Sequence, residues 1–124
     1  MGILSNSAFS RSLVIRWSDS FLSHELSYAA EIIVEHAAHV IRTSDDLKIK
    51  DVRFSLDKVS ETSKSKIINA SHILGYGLTL QLISLSEYST LVKIYFCDDK
   101  LHRKEELERK LLNGILQSLE ANFN

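Results

Sequence analysis

The residues with the clearest chemical potential lie in one helix-forming run, Glu35-His36-Ala37-Ala38-His39. Residues three and four apart share a helix face, so His36 and His39 can turn both imidazoles toward one ion. Glu35, four before His39, can add a carboxylate. Chemistry at such an ion would need at least one further ligand. A further ligand would have to come from His24, Glu31, His72 or His102. The zinc-protease helix motif sets its histidines four apart with the glutamate directly after the first, a spacing this run lacks. His36 also borders the apolar stripe of its helix while His39 lies farther toward solvent, as solvated boundary histidines do.

Other chemistry-bearing residues are scattered. Gly75-Tyr76-Gly77 falls between two strand-like runs, whereas phosphate cradles lie between a strand and a helix start; a tight turn is the expected role. Cys97 precedes Asp98 and Asp99, and adjacent carboxylates oppose a reactive thiolate. A small basic cluster, Lys100, His102, Arg103 and Lys104, is followed at once by Glu105, Glu106 and Glu108. Such a mixture reads as a solvated helix face, and without aromatic platforms it gives no expectation of nucleic-acid binding. No constellation points to a cofactor, and the sequence favours a non-catalytic role.

Composition agrees. The 124 residues have a formal net charge of −1, 44% hydrophobic and 25% charged residues, and a single cysteine. That balance fits one globular domain, gives no general pull toward polyanions, and forbids an internal disulfide. No apolar run approaches membrane-spanning length, and the N-terminal residues lack the pattern of a signal peptide, so a cytoplasmic protein without a membrane span is expected. One domain over residues 1–124 is expected, with 1–11 loosely ordered.

The elements follow from period. Ser12 to Trp17 alternates as a strand, and Phe21 to Arg42 carries Leu22, Leu26, Ala29, Ile33, Ala37 and Val40 at helical spacing. Leu47 to Leu56 alternates in two phases, Asp57 to Ser65 reads as an exposed mobile loop, and Lys66 to Ile73 as a strand. Tyr76 to Leu85 and Leu91 to Cys97 form a hairpin, and Leu101 to Ala121 a closing helix in which Gly114 would allow a close approach. The fold class predicted is α+β: a single antiparallel sheet of four to five strands with two helices packed on one face, in the order β-α-β-β-β-β-α. On element order alone this arrangement is similar to the helix-grip ligand carriers, although the chain is short for their full cradle.

Three functional expectations follow. The first is a non-catalytic protein-interaction module, a homodimer or a small adaptor, chaperone or inhibitor, with Ile83, Leu91 and Tyr95 on an uncovered sheet face as interface candidates. The second is a carrier of a small apolar ligand between sheet and helices, in a cavity lined by Ile33, Leu78, Leu80, Leu82, Ile94 and Phe96. The third is a metal-dependent enzyme using His36 and His39 with Glu35.

Overall fold

The computed structural model describes residues 9–44, 53–71, 76–98 and 105–123. Its strands are β1 (Phe9–Arg16), β2 (Ser55–Glu61), β3 (Ser65–Ser71), β4 (Tyr76–Ser86) and β5 (Ser89–Asp98); its helices are α1 (Phe21–His24), α2 (Leu26–Arg42) and α3 (Glu105–Phe123). All five strands join one antiparallel sheet in the order β1-β5-β4-β3-β2. The α+β class is as the periods predict, with three helices among the described residues in place of two.

The alternation on β4 and β5 sets the layers. Leu78, Leu80 and Leu82 on β4, Val92 and Ile94 on β5, Leu13 and Ile15 on β1, and Ile68 and Ala70 on β3 are buried against α2 and α3. The alanine-rich face of α2 (Ala29, Ala30, Ala37, Ala38) is fully or almost fully buried and supplies little side-chain bulk, which brings its backbone close to its neighbours. Leu111, Leu112, Ile115 and Leu119 bury the matching stripe of α3. The single glycine of α3 packs against α2: a Cβ built on Gly114 would stand 3.1 Å from Val40 Cγ1.

Four elements depart from the predicted ones. The long first helix is broken at Glu25, whose φ of −102° and ψ of 76° leave the helical region. The break follows Ser23, whose fully buried hydroxyl is tied to the β4–β5 hairpin. Of the polar stretch expected as a mobile loop, residues 57–61 instead belong to strand β2, and 62–64 turn into β3. Strand β2 pairs with β3 through a bulge between Lys58 and Ser60, and as an outer strand with both faces largely exposed it has no apolar alternation to reveal it. Strand β1 begins at Phe9, inside the segment expected to be loosely ordered, because Phe9 to Arg16 pair without interruption with Phe96 to Ser89. β5 is longer than predicted at both ends, and a two-residue Glu87-Tyr88 turn closes its hairpin with β4. The expected first strand half at Leu47 to Lys50, Gly75 and the basic cluster at 100–104 lie outside the described residues.

Helix α2 ends with its last carbonyls occupied: the Thr43 hydroxyl donates to the carbonyls of His39 at 2.9 Å and Val40 at 3.2 Å. None of the described helices is long and apolar enough to cross a membrane.

Candidate interaction surface

Because side chains alternate along a strand, the residues between the buried ones point to the other side of the sheet, away from α2 and α3. Antiparallel register arranges them in cross-strand rows. One row runs Val14–Leu91–Ile83–Ser65, the next Ser12–Lys93–Gln81–Ile67, and the next Ser10–Tyr95–Thr79–Asn69–Asp57. The three predicted interface residues, Ile83, Leu91 and Tyr95, therefore share this face. Leu91 lies directly between Val14 and Ile83.

Charge is sparse on the inner strands of this face, and Arg16 on the outer strand β1 adds an exposed cation to it. On the three inner strands β3, β4 and β5, Lys93 is the one charged side chain placed on this face by the alternation. Ile67, Ile83, Leu91, Lys93 and Tyr95 are each half-buried, and Val14 is 40% exposed. Thr79, almost fully buried, is satisfied locally and donates its hydroxyl to Asn69 Oδ1 at 2.8 Å. The outer strand β2 brings charge back at the rim, with Asp57 exposed on this face. Its bulge and charged residues Asp57, Lys58 and Glu61 are features that discourage edge pairing.

Residues proposed to line a ligand cavity sit on the opposite face. Ile33, Leu80, Leu82 and Ile94 have no exposed surface, Leu78 has 2%, and all five belong to one contiguous buried cluster. The Phe96 side chain lies outside the described residues, although its backbone is paired in β5.

The helical histidines border an open groove of about 500 Å³ between α2 and α3, lined by Ile32, Glu35, His36, His39, Arg42, Ser118 and Asn122. Within it Glu35, His36, Arg42, Ser118 and Asn122 already have partners. His36 Nδ1 lies 3.1 Å from the Ser118 hydroxyl, and Arg42 pairs with Glu35 at 3.2 Å. Burial lowers the His36 pKa below its ordinary 6.5, the neighbouring His39 adds to the shift and Glu35 opposes it. The imidazole also meets the Phe123 ring edge-on at 5.2 Å, and Phe123 in turn meets Trp17 at 5.1 Å. His24 turns its Nδ1 to the Ser20 carbonyl at 2.8 Å, and His72 and His102 lie outside the described residues. Among the described residues no three His, Cys, Asp or Glu side chains converge on a point that would hold a metal ion. Through His36, α2 meets both Ser118 and Phe123 of α3.

Sequence reasoning found Ile83, Leu91 and Tyr95 because their strands alternate clearly. It missed Val14, Ile67 and Lys93 as members of the same surface. The alternation of β1 placed Val14 opposite Leu13 and Ile15, but only the strand order sets it beside Leu91. Compared with protein-family models and with curated proteins, the chain matches none.

Proposed function

We propose that this chain is a non-catalytic protein-interaction module that self-associates through the sheet face opposite its helices. One observation carries the reading: across three inner strands that face bears Ile67, Ile83, Leu91 and Tyr95 and a single charged side chain, Lys93. Antiparallel sheets with one solvated side ordinarily alternate apolar and polar residues, so a face this poor in charge is suited to packing on another sheet about 10 Å away.

A second copy is the favoured occupant for a physical reason. An isologous contact sets each patch against itself, so a face rich in one charge would repel its own copy. The inner strands of this face carry one cation and a neutral, partly apolar remainder, with Arg16 and Asp57 on the outer strands, so like-charge repulsion between two copies is limited. An adaptor, chaperone or inhibitor role would use the same surface on a different protein. The single cysteine accords with a reducing, cytoplasmic setting.

Native mass spectrometry tests this reading. The expected result is a species at twice the 14.1 kDa chain mass that the substitution Tyr95→Glu disperses while the circular dichroism spectrum stays unchanged. Extra mass on each subunit, retained in Tyr95→Glu, would instead support carriage of a small molecule.

A further inference from the structure

We propose that β2 is a releasable strap, latched in place by the contact between Glu61 and the inward-facing Lys66. Strands β1, β3, β4 and β5 each bury one face against the helices. β2 does not: six of its seven residues are exposed, and only Leu56 is half-buried. Its one sheet partner among the described residues is β3. The bulge between Lys58 and Ser60 interrupts even that ladder and leaves Val59 outside the register. Leu56 and the preceding Phe54 pack partly against the core and anchor one end, so release runs from Asp57 to Glu61. A segment with little buried apolar surface and an exposed ladder opens at a lower free energy than the rest of the fold.

The other end is held by charge. Glu61 stands opposite Lys66 across the β2–β3 ladder, and its Oε1 lies 2.7 Å from the Lys66 amine. The Lys66 side chain is only 10% exposed, and it also donates to the Ser27 hydroxyl on α2. When Glu61 leaves, the amine is left with that neutral partner, and a poorly hydrated cation without its carboxylate is costly. Lys58 bonds the second oxygen of Glu61 at 2.8 Å, but it is exposed and lies on the same strand, so it moves with the strap and adds little to the latch. The force that closes residues 57–61 is thus concentrated in one side-chain pair. Release uncovers the outer edge of β3, whose backbone donors and acceptors β2 otherwise satisfies.

Amide-resolved hydrogen exchange tests this on wild type, Glu61→Gln, and Glu61→Gln combined with Lys66→Met. In wild type the β3-bonded amides of residues 57–61 are expected to exchange about tenfold or more faster than those of β4 and β5, once corrected for intrinsic rates. Glu61→Gln should accelerate residues 57–61 by about threefold, the scale of an ion pair with one exposed partner. Adding Lys66→Met removes the amine that has lost its carboxylate and should return exchange toward the wild-type rate. The β4 and β5 amides serve as the internal reference, so any general loss of stability in a variant cancels in the ratio. Exchange of residues 57–61 at the rate of β4 and β5 would show that β2 opens only with the whole fold, and would overturn the strap. A Glu61→Gln ratio equal to or below that of wild type would overturn the latch.

Discussion

The buried Ser23 hydroxyl donates to the backbone carbonyl of Ser86 at 2.5 Å, joining α1 to the β4–β5 hairpin across 63 positions of sequence. The same oxygen lies 2.9 Å from the Ser84 hydroxyl and 3.2 Å from the Ser89 carbonyl. This polar anchor holds the hairpin whose two strands carry most of the proposed interface. Ser23→Ala removes the donor from these part-buried partners, a loss of about 0.5–1.5 kcal/mol. Urea denaturation of wild type and variant measures it, and a change near zero would show that water replaces the hydroxyl.

Close approach of the two long helices makes Gly114 and Val40 an energetic pair. Alanine at position 114 gains about 1 kcal/mol of helix propensity. Its Cβ meets Val40 Cγ1 at 3.1 Å, so the valine must shift. Gly114→Ala is therefore expected to change stability by less than about 1 kcal/mol in the wild-type background, and to stabilise by more in a Val40→Ala background. A double-mutant cycle on thermal or urea unfolding reads the difference. Equal effects in both backgrounds would mean that the helices separate freely. Gly114→Leu, too large for any such adjustment, should destabilise strongly.

Acid acts at two places by separate routes. Hydrogen bonds from Lys58 at 2.8 Å and from Lys66 hold the Glu61 pKa down from 4.5 to about 2. Lys66 is the more demanding partner: its side chain is only 10% exposed, its amine lies 2.7 Å from Glu61, and it also donates to the Ser27 hydroxyl. A carboxyl whose folded pKa lies below its unfolded value contributes its full stability above the unfolded value, and loses it as pH falls through the folded one. Between pH 5 and pH 2 wild type should therefore lose more stability than Glu61→Gln. Solvent screening at the exposed Glu61 keeps the effect small. Denaturation midpoints across that range measure it, and parallel curves would contradict the pairing.

The second acid-sensitive place is the end of α3. His36 is lowered below 6.5, chiefly by burial, so the folded state prefers the neutral imidazole. Stability from this contact is complete above pH 6.5 and declines as the imidazole takes up a proton. The ring touches Phe123, which touches Trp17, the one tryptophan of the chain. Trp17 emission should therefore change on acidification below pH 6.5, and His36→Asn should flatten that change. An unaltered titration in the variant would detach His36 from the aromatic contact.

Much of this molecule was legible in its sequence where one side of an element is buried and the other is not. Leu78, Leu80 and Leu82, alternating with Thr79, Gln81 and Ile83, disclose both faces of β4, and the same contrast gives β5 and the α2 stripe. The candidate surface was legible to the same extent, through Ile83, Leu91 and Tyr95. Strand β2 was not, because Ser55 to Glu61 is mostly exposed on both sides and loses its period. The break at Glu25 was not either: its neighbour Ser23 is held by residues more than sixty positions away, and no local pattern encodes that. Strand order, which sets Val14 beside Leu91 and leaves Lys93 among uncharged neighbours, is likewise a property of the assembled sheet.

The most direct test is a sedimentation-equilibrium concentration series on wild type and Leu91→Asp. Leu91 is half-buried at the centre of the apolar row and away from the helix-packed core. The substitution should therefore leave the fold intact and place a carboxylate in the proposed contact. The account predicts a monomer–dimer equilibrium for wild type and a monomer at every concentration for the folded variant. A wild-type chain that stays monomeric throughout, or a variant that dimerises as wild type does, would contradict it.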